Sequence, residues 1–258
     1  MSNASSANYA AASPAHAVDA PPLLPANAAL FVDLDGTLVP IAATPQAVQV
    51  PPWVVPLLER LQRQLAGALA VVSGRPLMGV DALLRPLRLP GAGVHGMERR
   101  LTDGRMRIHH AQVPESARQA AQALVREHPE LLLEPKPGSL ALHYRAELAL
   151  GPQCLSRLRA ALDNAPDWEV LEGHCVAEVK PRSVSKGAVV TAFMAQPPFA
   201  GRVPVFVGDD NTDEDGIAAA QAAGGFGVRI GPGATQARHR LADSAAVGRW
   251  LEASFDAA

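Results

Sequence analysis

The sequence predicts an α/β fold, a doubly wound parallel sheet with a small α+β unit inserted into it. Three observations carry that expectation. Short, wholly apolar runs alternate with amphipathic helical stretches, the pattern of parallel strands buried on both faces. Several of these runs end abruptly in polar residues, as in "FVDLDGTLVP" from Phe31, "AVVSGRP" from Ala70 and "VFVGDDNTDE" from Val205. Between the second and third of these, the alternation gives way to adjacent strand-like runs and two polar helices, which fit a separate α+β layer.

Taken in order, Ala29 to Leu34 reads as a buried strand, and "PPWVVPLLERLQRQLAG" from Pro51 as a helix, with proline at its start and glycine at its end. Ala68 to Val72 is a second strand, after which Ser73-Gly74-Arg75-Pro76 opens another helix. Leu89 to Val94 leads into "MERRLTDGRMRIHH", a hairpin turning at Asp103-Gly104. The insert is expected over residues 111–179. It begins with the amphipathic "PESARQAAQALVREHP" and continues with "ELLLEPK" and "SLALHYR", two strands separated by Pro137-Gly138. The helix "GPQCLSRLRAALDN" and the strands "WEVLEG" and "HCVAEVK" complete it. The main pattern then resumes with a helix near Ser185, the strand "VPVFVG", an acidic loop and helix, the strand "FGVRI" and a closing helix "SAAVGRWLEASF". Residues 26–110 and 180–258 form the expected core, and residues 1–25, rich in Ala, Ser and Pro, a flexible tail.

Composition narrows the function. Of 258 residues, 48% are hydrophobic and 19% charged, with a formal net charge of -2, which gives no electrostatic footprint for nucleic acid or an anionic membrane. No apolar run is long enough to span a membrane. The N-terminus lacks the basic start and compact apolar stretch of a signal peptide, and Cys154 and Cys175 lack metal-ligand spacing. The expectation is a cytoplasmic, monomeric protein acting on a small molecule.

In open parallel sheets, ligands bind at the carboxyl ends of strands. Asp33 and Asp35, Ser73, and Asp209 with Asp210 all fall there, and Lys186 starts a helix. Two aspartates one residue apart repel each other and have no use in a core strand. A hard cation such as Mg²⁺ suits such a carboxylate cluster, while Ser73, the Gly74 amide and Lys186 suit phosphate oxygens. Asp33 is then placed to attack phosphorus, and Asp35 to protonate the leaving alcohol and activate water.

The ordered set "DLDGT", "SGR", "SKG" and "GDDNTDE" resembles the haloacid dehalogenase superfamily of phosphotransferases. Within it, "HGMERR", "LEPKPGSLALHYR", "VAEVKPRSVSKG" and "GDDNTDEDG" resemble the trehalose-6-phosphate phosphatases, from about Ala29 to Trp250. The resemblance implies a Rossmann-like core with the insert as a cap domain over the site. It implies Mg²⁺-dependent hydrolysis of trehalose 6-phosphate through an aspartyl-phosphate. Asp33 would be the nucleophile and Asp35 the general acid and base, while Lys186 would neutralise the phosphate oxygens as a third catalytic residue. Asp33, the Asp35 carbonyl and Asp209 would hold the metal. Leu34, Asp35, Ser73, Gly74 and Lys186 would hold phosphate, and Arg75, His95, Glu134, Lys136 and Glu178 the sugar. Pro137 in "KPGSL" departs from the family's pattern in a variable loop.

Plainer readings stand beside these. Asp33 and Asp35 can cap the next element, and Asp209 to Glu214 can serve as an acidic N-cap, a role that suits Asp213 and Glu214. Arg75 pairs with a core carboxylate or reaches substrate. His95 and Glu98, after a strand, can be loop polars, which the resemblance moves toward lining the site, and His143 and Arg145 support the cap or its domain interface. On spacing alone, Glu134, Lys136 and Glu178 are a solvated strand face. A phosphatase of another sugar phosphate, or a silent phosphosugar-binding module, would share much of this pattern. Phosphate release from a panel of sugar phosphates separates them.

Overall fold

The computed structural model describes residues 20–42, 47–136, 138–173 and 175–255. The expected tail up to residue 19 and Pro137 lie outside them. The chain starts with strand β1 (Ala28–Val32), helix α1 (Val54–Gln64), β2 (Leu69–Val72), α2 (Leu77–Leu83), β3 (Gly91–Gly93) and the hairpin β4 (Glu98–Arg100) and β5 (Met106–Ile108). The insert holds α3 (Glu115–Glu127), β6 (Leu132–Lys136), β7 (Ser139–His143), α4 (Gly151–Ala160), β8 (Trp168–Gly173) and β9 (Val176–Pro181). The core then resumes with α5 (Lys186–Met194), β10 (Val203–Gly208), α6 (Glu214–Ala222), β11 (Phe226–Ile230), β12 (His239–Leu241) and α7 (Ser244–Ala253).

The main sheet runs β12-β11-β10-β1-β2-β3-β4-β5. Its first six strands are parallel and β4 and β5 extend it antiparallel. Every residue of β1 and β2 is buried, as a strand covered on both faces requires. From β1 the chain winds outward through β2 and β3, and its second half winds the other way through β10, β11 and β12. The strand order therefore reverses at the β1/β10 pair, the place where open α/β sheets bind ligands. Helix α1 faces this sheet with Val54, Leu57, Leu58 and Leu61. Phe31 stacks on Phe199 at 5.3 Å between ring centres, and Phe193 meets Phe199 at 4.9 Å.

The insert is a four-stranded antiparallel sheet, β6-β7-β9-β8, with a core of its own. Leu140, Leu142, Ala177 and Val179 pack beneath Ala121, Leu124, Leu155 and Leu158 of α3 and α4. Strand alternation sends the other set of side chains to the opposite face. Glu134 and Glu178 both pair with Ala141 there, and Lys136 pairs with Ser139. The helices cover the apolar face and leave a polar one.

Two features differ from expectation. β12 is too short and polar to stand out in the sequence, and forms by pairing with β11. The proximal end of the expected tail is docked: Leu24 is buried, its amide donates to Ser254 Oγ at 2.9 Å, and Trp250 Nε1 donates to the Pro22 carbonyl at 2.8 Å. A tail boundary at residue 25 thus falls inside the packed structure. Leu24→Ala is expected to cost about 2 kcal/mol, or roughly 4–8 °C in melting temperature at this chain size. A thermal melt unchanged by the substitution would show that the docked end contributes nothing.

Candidate active site

Asp33 directly follows β1 and is buried. The turn after it is closed by Gly36 donating to Val39 and by Leu38 and Val39 donating to Leu34. Gly36 has φ +84°, and a Cβ there would lie 2.0 Å from Asp209 Oδ2, so only glycine lets the two acidic loops approach. Asp209 directly follows β10 and accepts from Thr37 Oγ1 at 3.3 Å. Lys186, the first residue of α5, is also buried. Its Nζ lies 2.8 Å from Asp33 Oδ1 and 2.6 Å from Asp213 Oδ1. Burial works against its charge, but Asp213 and Asp33 outweigh that and hold the ammonium above the ordinary lysine range.

Asp213 is the residue that sequence reasoning undervalued. It is fully buried, and its Oδ2 accepts from the amides of Asp209 and Asp210 at 3.0 and 2.9 Å. It caps the loop, as expected, and also clamps Lys186. Its position four residues after Asp209, one helical turn, was the available signal.

Asp33, Asp209 and Asp213 bring carboxylate oxygens within 4.8 Å of one another. Three acids face one lysine, which leaves negative charge uncompensated. Burial, then Asp213 and Asp210, push Asp209 up to about 6. Burial likewise raises Asp33, with Lys186 opposing and Asp213 and Asp209 adding to it. An all-oxygen set short of positive charge fits a small divalent cation.

Ser73 follows β2, is buried, and accepts from the Arg75 amide at 3.1 Å. Arg75 clamps Asp35, with Nε to Oδ2 at 2.6 Å and Nη2 to Oδ1 at 2.7 Å. Of the two readings open for Arg75, the carboxylate partner is the one seen, and that partner is Asp35 itself. Gly74 matters for a different reason: a Cβ there would sit 2.8 Å from the His95 ring. His95, at φ 53°, occupies the left-handed region, and its ring lies against Gly74. Burial first, and then Lys186, Lys136 and Lys180, push its pKa well below the ordinary histidine value, so the ring is neutral at neutral pH.

His95 also joins core to cap, because its Nε2 lies 3.6 Å from Glu178 Oε2. Lys136 Nζ lies 3.5 Å from the same oxygen, and Ser139 donates to Glu178 Oε1 at 3.1 Å. Thus His95, Lys136 and Glu178 form one cluster on the polar face of the cap. Glu134 stands on that face but is exposed and bonds His143 at 2.9 Å. Glu98, read as lining the site, instead accepts from the Leu77 amide at 2.8 Å and so caps α2.

A sequence profile of the trehalose-phosphatases matches residues 31–245. The chain belongs to the trehalose-phosphatase family. It is 43% identical over 235 residues to a trehalose-6-phosphate phosphatase of Escherichia coli, covering 90% of this chain and 88% of the relative. A probable trehalose-phosphate phosphatase of Sinorhizobium fredii is 42% identical over 214 residues, with 80% and 78% covered. Among solved structures, the trehalose-6-phosphate phosphatase C-terminal domain of C. albicans superposes with a TM-score of 0.75 at 21% identity, over 89% of this chain and 92% of that one. A haloacid dehalogenase-like hydrolase of B. subtilis gives 0.63 at 16% identity, over 87% and 99%. These superpositions show the haloacid dehalogenase-like fold with its cap. Trehalose-phosphatases are phosphoric monoester hydrolases, and this member of the family is one of them. Among the described residues, no helix is long and apolar enough to cross a membrane.

Proposed function

We propose that the chain hydrolyses trehalose 6-phosphate to trehalose and inorganic phosphate, the last step of trehalose biosynthesis. The observation that carries this reading is the buried Asp33–Lys186–Asp213 array at the β1/β10 reversal, beneath a polar cap face whose Glu178 reaches His95. Asp33 attacks phosphorus and forms an aspartyl-phosphate as the sugar oxygen departs. Lys186 holds the Asp33 carboxylate in place and carries positive charge for the phosphoryl oxygens. Ser73 and the backbone at Leu34, Asp35 and Gly74 line the same strand ends and receive those oxygens.

Asp35 donates its proton to the leaving oxygen, then takes one from the water that cleaves the acyl phosphate, so that phosphate leaves and Asp33 is restored. Both Asp35 oxygens accept from Arg75, so this clamp has to release Asp35 before that carboxyl takes up and delivers a proton. Asp33, the Asp35 carbonyl and Asp209 would hold Mg²⁺, with Asp213 beside them. When bound, the cation offsets the charge of the transferring phosphoryl group.

The sugar falls to the cap. Lys136 Nζ lies 3.5 Å from Glu178 Oε2, and both present polar atoms that sugar hydroxyls can satisfy. Losing one such partner in a closed, dry site costs roughly 1–3 kcal/mol. Lys136→Ala and Glu178→Ala are therefore expected to lower kcat/KM for trehalose 6-phosphate by roughly 10–10³-fold. Hydrolysis of p-nitrophenyl phosphate, too small to span to the cap, stays near wild type. Equal losses on both substrates would reassign these residues to folding or phosphate binding, and no loss on either would remove trehalose from the reading.

A further inference from the structure

Apart from the catalytic carboxylates, a cavity of about 280 Å³ opens between the β4–β5 hairpin and the start of α5. Arg99 and Arg107 are direct cross-strand partners, so they leave the hairpin on one face, and both line this cavity. Like charges placed opposite each other destabilise a strand pair. Among the described residues that line the cavity, none is acidic. The Arg99 Nε is buried without a hydrogen-bond partner among the described residues, and burial, then Arg107, lower the guanidinium's pKa.

The adjacent arginine behaves differently. Arg100 donates to Asp81 through both terminal nitrogens and to the Leu89 carbonyl through Nε. One arginine of the "ERR" strand is thus committed to the fold, while its neighbour borders a cavity with its buried Nε unpartnered among the described residues. His109, Ser183 and Ser185 supply further polar groups to the wall. Ser185 is also the N-cap of α5, so the positive end of that helix adjoins the cavity.

We propose that this cavity is a second anion site, taking a phosphate group between Arg99 and Arg107. A tetrahedral dianion matches forked guanidinium donors and removes the repulsion between them. Among the described residues of the wall are none of Asp33, Asp35, Ser73, Lys186 and Asp209, so the site is separate from the one proposed to hold the reacting phosphate. Its occupant is either free inorganic phosphate or the phosphate group of an organic ester.

Calorimetric titration of the whole, metal-chelated protein with inorganic phosphate tests the proposal. Wild type is expected to bind one more equivalent than Arg99→Gln/Arg107→Gln. Arg107→Gln alone, at an exposed position that does not endanger folding, is expected to weaken that class by roughly 10–100-fold. Without phosphate the double variant melts no lower than wild type, because it has lost only a repulsive pair. In phosphate-free buffer Arg107→Gln hydrolyses p-nitrophenyl phosphate at the wild-type rate. Phenylphosphonate, which cannot be hydrolysed, distinguishes the sources. Equal affinity for both probes assigns the site to free phosphate, and a preference of about tenfold for phenylphosphonate assigns it to an organic phosphate. Equal stoichiometry in wild type and double variant, or loss of turnover in Arg107→Gln, would overturn the proposal.

Discussion

Asp33→Asn is expected to reduce turnover of trehalose 6-phosphate by about 10⁴–10⁶-fold, the scale seen when a covalent nucleophile is removed. The substitution keeps the side chain's shape and an oxygen to accept from Lys186, whose Nζ is 2.8 Å from Asp33 Oδ1. It abolishes the anionic oxygen that the proposed mechanism uses to attack phosphorus and weakens the oxygen set formed with Asp209 and Asp213. Two measurements check the result. Steady-state phosphate release gives the size of the loss, and rapid quenching with radiolabelled substrate shows whether phosphate becomes attached to protein. Wild type should carry label and the variant none. Turnover within about tenfold of wild type in purified Asp33→Asn, a difference of only 1.4 kcal/mol, would sink the covalent assignment.

Lys186→Met should damage both stability and activity. The lysine is buried and offsets two carboxylates at 2.8 and 2.6 Å, Asp33 and Asp213. Removing one member of a buried ionic cluster leaves the others desolvated and costs about 3–5 kcal/mol. At this chain size that amounts to roughly 6–20 °C in melting temperature, measured without added divalent ions. A second substitution separates charge from shape. Lys186→Met/Asp213→Asn removes one stranded carboxylate and should recover part of the lost stability while remaining inactive. A single variant with an unchanged melt would mean that the array is stability-neutral. A single variant with near-wild-type turnover would mean that phosphoryl transfer does not need the lysine.

Legibility in the sequence followed the range of the interactions. The strands β1, β2 and β10 were visible because burial on both faces makes their runs wholly apolar, and Asp33, Ser73 and Asp209 were visible because they end those runs. The polar face of the insert was likewise legible, since alternation in "LEPKPGSLALH" and "VAEVK" separates Glu134, Lys136 and Glu178 from their apolar neighbours. What stayed hidden were pairings across long stretches of chain. Arg75 meets Asp35 forty positions away, and Trp250 meets Pro22 across 228 positions. No local pattern encodes either bond. Asp213 was hidden for another reason: its helix-capping role accounts for the residue in sequence, so nothing there demanded the second role on Lys186. Glu98 was misplaced because an acidic residue after a strand looks the same whether it meets a ligand or a neighbouring helix's amide.

The strap by which the chain returns from cap to core bears on how such enzymes can be re-engineered. Lys180, buried at the end of β9, donates to the Val184 carbonyl at 2.6 Å and lies 2.7 Å from Glu169 Oε1 on β8. Glu178 sits on the polar face of the insert beside Lys136 and His95, Lys186 grips Asp33, and the braced Lys180–Val184 segment lies between them on a single short stretch. A chimera that exchanges caps therefore has two unequal seams. The outgoing one, after β5, can be cut among exposed residues. On the proposed roles, cutting the returning one between Glu178 and Lys186 would move the sugar-facing glutamate and leave the lysine that grips Asp33 on a strap fitted to another cap. Recombination between relatives should succeed when the whole span from Glu169 to Lys186 travels together, so the unit to exchange is larger than the cap itself.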